Sequence, residues 1–365
     1  MFILGIETSC DDTAAAMIEA KGGFKNPSFS VLANTSYSQV AIHKKFGGIV
    51  PNLASRAHLE KIIPTIKSAL SILRIDSGKI DLIAVTKGPG LLPSLLIGVN
   101  TARALAYRFR KPIIGVNHIE GHIYSNWLTN KKIEFPALIL VVSGGHTELV
   151  LMKDYGKYKI IGQTLDDAAG ECFDKTARLL GLGFPGGPAI AAEAAKFQVP
   201  SSKFQVRLPR PMINSKDYNF SFSGLKTAVL YLYNDLINPE KSKTSNGARK
   251  YPVKEIRPVM AAEIQNAIID VLTAKTVKAI ENLNPKTVMI CGGVSANKAL
   301  REKMVREFES YKIPFLMPGT SYAIDNAAMI AAAGYFSAIG GSPEGGNYPS
   351  KNSWKNLVAD ANLRL

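Results

Sequence analysis

The strongest constraint on the fold is a strand–turn–strand pattern that occurs twice in this 365-residue chain. In the first copy, apolar residues at 2–6 and 14–20 flank a turn of small and acidic residues at 7–13. In the second copy, residues 136–152, the strands flank a Gly-Gly pair. A backbone without bulky side chains can approach a phosphate closely. Two copies of one hairpin therefore predict duplicated lobes with a nucleotide held between them.

Between and after these hairpins, apolar strand-like runs alternate with helix-like segments. We predict strands at 81–86, 112–116 and 287–291, and helices at 59–73 and 95–109. This alternation is typical of the α/β class. We divide the chain into an N-terminal lobe (1–134), a C-terminal lobe (135–320) and a helix that returns to the N-terminal lobe (321–345).

Two histidines four residues apart, His118 and His122, follow the predicted strand 112–116. On a helix they lie on one face, one turn apart, which is how a single helical turn holds a divalent metal. The alternative is a pair of surface or capping histidines. A metalloprotease is a further alternative, but Glu120 does not follow the first histidine directly, as the H-E-x-x-H pattern requires.

Asp325 precedes an Ala-rich helical segment at 326–339. One interpretation is an ordinary helix cap. The other is a third metal ligand, which would complete a two-His, one-Asp site with an open coordination position.

Further small and acidic residues are candidates for holding a nucleotide. Asp11 and Asp12 lie in the first hairpin turn and are candidate catalytic groups, as a proton acceptor or in orienting the substrate. In the second turn, the amides of Gly144 and Gly145 can reach a phosphate or an acyl group. Asp166 or Asp167 is expected to cap the helix that follows, whereas Asp174 lies inside that helix and is not explained by capping. Asn297 can present its amide to a sugar or base.

The net charge of +15 favours an anionic partner, nucleic acid first among them. Residues 42–56 are expected to form an irregular loop whose basic residues could meet phosphates. Residues 239–257 are expected to be an exposed, mobile basic loop, either a solvated insertion or an RNA contact. Three cysteines without CxxC spacing are typical of a reducing compartment. With no apolar run of membrane-spanning length and no leader before the first strand, we expect a cytoplasmic protein.

Ordered motifs over nearly the whole chain resemble the TsaD family, which comprises the bacterial and mitochondrial relatives of the archaeal–eukaryotic KEOPS catalytic subunit. The matching stretches are GIETSCDDT, GGIVPNLASRAH, GPGLLPSLLIG, NHIEGH, VSGGHTELV, DDAAGECFDKTARLLGL, PGGP, FSFSGLKTA, CGGVSANKALR and DNAAMIAAAG. The SGGHT form resembles the bacterial branch. The archaeal branch has a metal-binding tyrosine where this chain has Val141, so a tyrosine ligand is absent here.

The resemblance implies a two-lobed actin/sugar-kinase/Hsp70-like (ASKHA) fold with duplicated lobes around a nucleotide cleft. It implies transfer of threonylcarbamoyl from threonylcarbamoyl-AMP to N6 of adenosine 37 in tRNAs reading codons that begin with A. By the same resemblance the metal ligands are His118, His122 and Asp325, and the metal is one divalent ion per subunit, Fe2+ or alternatively Zn2+. The residues that hold the adenylate are Val141, Val142, Ser143, Gly144, Gly145, Asp174, Gly187 and Asn297.

The resemblance also implies partners. These are tRNA, bound through its anticodon loop, and, in the bacterial branch, a TsaB-like inactive paralogue and a TsaE-like ATPase. The principal rival functions are a metalloprotease and a sugar kinase or ATPase of the same fold. A third rival is a non-catalytic relative, which would lack the metal ligands that are present here.

Overall fold

The computed structural model describes residues 1–24, 26–71, 77–129, 132–197, 206–238, 251–340 and 348–365. The strands are β1 Phe2–Glu7, β2 Asp12–Lys21, β3 Ser28–Ser38, β4 Leu82–Gly88, β5 Ile113–Asn117, β6 Ala137–Val142, β7 Thr147–Asp154, β8 Lys157–Gln163, β9 Thr287–Cys291 and β10 Phe315–Leu316. The helices are α1 Val40–His43, α2 Pro51–Ser71, α3 Leu92–Phe109, α4 His118–Tyr124, α5 Ala169–Leu179, α6 Gly186–Ala194, α7 Ser223–Ile237, α8 Val253–Leu283, α9 Lys298–Phe308, α10 Thr320–Ala323 and α11 Ala327–Ala338.

The strands form two five-stranded sheets with the same layout. The first has the order β3-β2-β1-β4-β5 and the second the order β8-β7-β6-β9-β10. In each sheet the hairpin strands are antiparallel and the two later strands are parallel to the first strand of the hairpin. The matching order confirms the duplication predicted from the two hairpins.

Helix α11 lies in the core between the two sheets. All twelve of its residues are buried, and it packs against β1, β2, β4, β5 and α4. One apolar cluster includes α11, α4 and the facing sides of both sheets. Helices α2 and α3 cover the outer face of the first sheet, and α5 to α9 cover that of the second. Along each strand, alternate residues therefore face the central layer that contains α11 and the outer helices, as the two-residue period of a strand requires.

Two loop predictions are wrong in this structure. Residues 42–56 are not an irregular loop, because Val40–His43 is helical and α2 begins at Pro51. Proline suits the first position of a helix, where its missing N–H is not needed. The basic insertion is also not a loop throughout, since α8 begins at Val253; its residues 239–250 lie outside the described residues.

The capping predictions also differ from the structure. Asn326 rather than Asp325 caps α11, accepting a hydrogen bond from Met329 N at 3.0 Å. Neither Asp166 nor Asp167 caps α5. Ala168 occupies the N-cap position of α5, and Thr147 Oγ1 accepts a hydrogen bond from the N–H of Ala169 at 2.9 Å. The Asp166 carboxylate instead accepts from residues 221–223 at the start of α7. Within the described residues, no helix combines the length and apolar composition that crossing a membrane requires.

Candidate metal centre and adenylate cleft

The two histidines and Asp325 meet between the lobes. Asn117 caps α4 by accepting from the N–H groups of Ile119 at 2.8 Å and Glu120 at 3.4 Å, which fixes the helix at the end of β5. The imidazoles of His118 and His122 are 4.6 Å apart between ring centroids. Their Nε2 atoms lie 3.6 Å and 3.2 Å from Oδ1 of Asp325.

The donor set of this triad suits a divalent metal. One potential ligand atom from each of the three residues lies within 4.8 Å of the other two. Both ring nitrogens of His122 are buried and make no hydrogen bond, although Nε2 is close to Asp325. A buried, unpaired polar atom is costly, and a metal–ligand bond removes that cost. The triad therefore fits a metal, and the alternative of surface or capping histidines is wrong, because both side chains are buried and Asn117 is the cap.

Electrostatics in the triad favour an ionised aspartate. Burial alone would raise the pKa of Asp325, but the neighbouring charges of His118 and His122 hold the pKa well below its usual range. The pKa of His118 is raised to about 9, because the nearby carboxylates of Glu7 and Asp325 outweigh the cost of burying its charge. Burial lowers the pKa of His122. Metals bind a neutral imidazole and an ionised carboxylate, so a metal entering this site must displace the proton of His118.

A fourth residue, Glu7, lies behind the triad. Its Oε2 is 3.1 Å from Nδ1 of His118, on the side of the ring away from Asp325. In the sequence, Glu7 is one residue of the GIETSCDDT motif and has no assigned role. The one available signal is its position at the end of a buried strand, where an ionisable residue needs partners.

Asp11 ends the turn between β1 and β2, Asp12 is the first residue of β2, and both lie near the triad. Burial, followed by the charge of Asp325, raises the pKa of Asp11 to about 6 and that of Asp12 to about 7. Asp11 is also influenced by Asp174 of the second lobe, so this turn borders the cleft. His58 of α2 supports the turn, since its Nε2 lies 3.0 Å from the Cys10 carbonyl oxygen.

The second hairpin turn lies at the corresponding end of the second sheet. Val141 and Val142 have fully buried side chains, so only their backbone is available to a ligand. The N–H of Ser143 donates to the His146 carbonyl at 2.8 Å, and Ser143 Oγ accepts from the N–H of His146 at 3.1 Å. Gly144 and Gly145 are exposed, and a Cβ on either residue would have no neighbour within 4 Å. Their amides thus border open space.

The remaining adenylate candidates lie on neighbouring turns. Oδ1 of Asp174 accepts from Gly186 N at 2.6 Å, and burial raises the pKa of this carboxyl despite that bond. A Cβ on Gly187 would meet open space. Asn297 caps α9 through Leu300 N at 3.1 Å, and its Nδ2 donates to Gln265 at 2.9 Å. In this structure the Asn297 side chain therefore already bonds Leu300 and Gln265, and its predicted contact with a sugar or base stays a prediction.

Close backbone contacts join these turns. The N–H of Gly170, in the first turn of α5, donates to the Ser143 carbonyl at 3.2 Å. Gly292 has φ +90°, a conformation that favours glycine, and a Cβ there would lie 2.4 Å from the Val142 carbonyl oxygen. The start of α5 and the start of the 292–297 turn therefore both pack against the end of β6, next to the Ser143–Gly145 turn.

Comparisons with known proteins agree with this geometry. The family model described as TsaD, tRNA N6-adenosine threonylcarbamoyltransferase, matches residues 30–332. A protein of that name from Caldicellulosiruptor saccharolyticus is 47% identical over 342 residues, covering 93% of this chain and 94% of its own length. Another from Bacillus subtilis is 47% identical over 336 residues, covering 92% of this chain and 90% of its own.

A solved structure supports the fold. Component A of (R)-2-hydroxyglutaryl-CoA dehydratase from Acidaminococcus fermentans superposes with a TM-score of 0.50 at 12% identity, covering 91% of this chain and 96% of that one. At this identity the likeness concerns the fold alone. The ASKHA-like two-lobed architecture expected from the sequence is therefore confirmed.

Proposed function

The chain belongs to the TsaD family, the tRNA N6-adenosine threonylcarbamoyltransferases, and we propose that it transfers threonylcarbamoyl from threonylcarbamoyl-AMP to N6 of adenosine 37. The acceptors are tRNAs that read codons beginning with A, and AMP is the leaving group. An exocyclic adenine amine is a weak nucleophile, so the acyl group must arrive activated. The mixed anhydride with AMP supplies that activation.

The observation that carries this proposal is the His118–His122–Asp325 triad beside a turn built for a nucleotide. We propose that these three residues hold one divalent metal ion per subunit, Fe2+ or alternatively Zn2+. When bound, such an ion supplies Lewis acidity toward the acyl carbonyl. Protein carboxylate and imidazole ligands suit both metals, so the donor set does not distinguish them.

The chain's own groups would bind and orient the substrates. The backbone amides of Gly144 and Gly145 would hold the anhydride and phosphate, since exposed N–H groups in a tight turn attract anions. Ser143, whose own N–H donates to the His146 carbonyl, would hold the turn in shape. Asp174, Gly187 and Asn297 would line the adenosine side of the cleft. Asp11 or Asp12 would accept the proton that leaves N6, a role suited to carboxylates whose pKa is raised toward neutrality.

Charge supports binding of tRNA to this chain. The net charge is +15, and binding a phosphate backbone depends largely on lysine and arginine. Lys44 and Lys45 are exposed in the N-terminal lobe, close to Arg178 of α5, which donates to the carbonyl of Gly47. Basic side chains of both lobes thus lie close together around Gly47. To reach the cleft, adenosine 37 must leave the anticodon-loop stack.

We also propose that a TsaB-like inactive paralogue and a TsaE-like ATPase assist the reaction. The surface that supports a protein partner lies on α2 and α3. Leu59 and Ile63 of α2, and Leu92 and Leu96 of α3, are large apolar residues exposed at helical i, i+4 spacing. A paralogue of the N-terminal lobe would carry the same helix pair and could cover this face symmetrically. The cytoplasmic location expected from the sequence stays a prediction.

The metalloprotease alternative is not favoured. Burial, followed by the charge of Glu120, raises the pKa of Tyr124, and the same two causes help to raise the pKa of Tyr158, which also interacts with Glu120 through a hydrogen bond. Glu120 therefore does not occupy the position of a water-activating base beside the metal. The sugar-kinase alternative gives no role to two histidines and an aspartate in the cleft.

Product analysis tests the proposal against these alternatives. The protein, with and without the two partner proteins, would be incubated with threonylcarbamoyl-AMP and unmodified tRNA. We expect AMP release that depends on tRNA and is absent with a matched tRNA carrying G37. ADP release with a sugar, or peptide cleavage without nucleotide, would contradict the proposal, as would AMP release equal with both tRNAs.

A further inference from the structure

We propose that Glu7 is a positioning residue for the metal centre. It orients His118 so that Nε2 faces the metal, and it ties this ligand to the turn that carries Asp11 and Asp12. This inference rests on the proposed metal-dependent function, and it concerns a residue that does not itself reach the metal.

Glu7 is the last residue of β1, and its side chain is fully buried. Oε2 lies 3.1 Å from Nδ1 of His118 and accepts from Oγ1 of Thr86 at 2.6 Å. Oε1 accepts from the N–H of Ser9 at 2.5 Å. Both oxygens are thus used, and their partners come from α4, from β4 and from the turn after β1. A buried carboxylate with this many donors is held in one orientation.

These contacts assign different tasks to the two nitrogens of His118. A hydrogen bond from Nδ1–H to the carboxylate leaves Nε2 as the atom available for a metal. Nε2 is also the nitrogen that faces Asp325, at 3.6 Å. Ser9 Oγ lies 3.2 Å from the same Nδ1, so the carboxylate and the hydroxyl together surround that side of the ring. The carboxylate also increases the basicity of the imidazole, which strengthens it as a ligand.

The same carboxylate joins the metal ligand to the proposed acid–base turn. Its bond to Ser9 N fixes the backbone two residues before Asp11. Because β1 ends at Glu7, a shift of His118 and a shift of this turn are mechanically coupled. Glu7 therefore fixes the distance between the metal and the two aspartates.

The alternative is that Glu7 and His118 form only a buried ion pair of structural value. The two roles differ in one measurable quantity. A structural pair changes stability but leaves the metal affinity of the folded protein unchanged. A positioning carboxylate changes the metal affinity as well, typically by about 10- to 100-fold.

Glu7→Gln tests the proposal because it keeps the shape of the side chain but replaces one acceptor oxygen by a donor. The matched control is Glu263→Gln in the other lobe, where a glutamate accepts from Leu208 N at 2.9 Å and pairs with Arg210. Affinity for Zn2+ and Co2+ would be measured on full-length protein by competition with a chromophoric chelator. Folding would be followed by circular dichroism, and the Co2+ absorption spectrum would report the ligand set.

We expect Glu7→Gln to weaken metal binding by about 10- to 100-fold and to change the Co2+ spectrum, while Glu263→Gln leaves both unchanged. A folded Glu7→Gln protein with wild-type affinity and spectrum would overturn the proposal. Neither readout requires tRNA or the adenylate. Failure of the transfer reaction is therefore distinguishable from failure of this inference.

A measurement on the wild type keeps the inference testable if Glu7→Gln does not fold. In Zn2+-loaded protein with 15N-labelled histidine, NMR reports which nitrogen of His118 carries the proton. We expect a protonated Nδ1 and a metal-bound Nε2. A metal-bound Nδ1, or a proton on Nε2, would overturn the inference.

Discussion

Replacing Gly5 by alanine tests the contact that brings the two sides of the metal centre together. Gly5 lies in β1, two residues before Glu7, and it faces the first turn of α11, which begins two residues after Asp325. A Cβ on Gly5 would lie 2.1 Å from the carbonyl oxygen of Ala327 and 3.0 Å from the Cβ of Ala331. Since the nearest atom belongs to the backbone, no side-chain rotation can relieve the clash.

The expected size of the effect follows from this geometry. An ordinary C···O contact is about 3.3 Å, so β1 and α11 must separate by roughly 1 Å. Overpacking of this kind costs about 3 kcal/mol at the upper end of the usual range. Removing a glycine from a strand returns about 1 kcal/mol. The net loss is about 2 kcal/mol, which lowers the melting temperature of a lobe by about 4–8 °C.

Differential scanning calorimetry and chelator competition would be run on Gly5→Ala and on the control Gly224→Ala. Gly224 is the second residue of α7, where a Cβ meets nothing within 4 Å. Alanine there should stabilise the protein by about 0.4–1 kcal/mol and leave metal binding unchanged. For Gly5→Ala we expect both a lower melting temperature and weaker metal binding, because Asp325 moves with α11. A wild-type melting temperature and metal affinity in Gly5→Ala would refute this reasoning.

Three further predictions concern capping, pH and salt. Asp166→Ala should cost about 1–2 kcal/mol of unfolding free energy, because its carboxylate accepts from Phe222 N at 2.8 Å and Ser223 N at 3.2 Å; denaturant titration showing no loss would contradict this. Burial and then the charge of Asp325 raise the pKa of Asp12 to about 7 in the metal-free fold, against about 3.9 when unfolded. The stabilising contribution of Asp12 is therefore present below about pH 4 and is lost as the pH rises to about 7. The free energy of unfolding of metal-free Asp12→Asn should therefore increase relative to that of metal-free wild type as the pH rises from about 4 to about 7. A difference that stays constant over this pH range would contradict the raised pKa of Asp12. The logarithm of the tRNA affinity should fall linearly with the logarithm of salt concentration, and a salt-independent affinity in filter binding would argue against a phosphate-contacting surface.

The sequence predicts well those parts of the fold that depend on local pattern. The two hairpins and the strands β4, β5 and β9 are short apolar runs, so their positions can be read from the chain. Strand β3, Ser28–Ser38, gives no such signal because it lies at a sheet edge and alternates polar with apolar residues. The start of α2 cannot be predicted from the sequence either, since Pro51 is equally typical of a loop and of a first helical position.

The candidate site also has residues that local spacing predicts and residues that it cannot predict. His118 and His122 could be identified because their spacing alone places them on one helical face. The third ligand, Asp325, lies more than 200 residues later, and spacing could not distinguish a ligand from a helix cap there. In the structure the adjacent Asn326 is the cap, which leaves the Asp325 carboxylate free to face the histidines. Glu7 could not be assigned from the sequence, because its role depends on a contact with a residue 111 positions away.

Single-turnover transfer tests the central claim most directly. Labelled threonylcarbamoyl-AMP would be mixed with unmodified tRNA and the protein, alone and with the two partner proteins. The comparison would include wild type, His118→Ala and the control His43→Ala, which removes a buried imidazole that bonds Gln39 outside the triad. We predict label on adenosine 37 with wild type and His43→Ala, and its loss with His118→Ala. Label that persists in His118→Ala would contradict the metal's role, and no label under any condition would contradict the transferase itself.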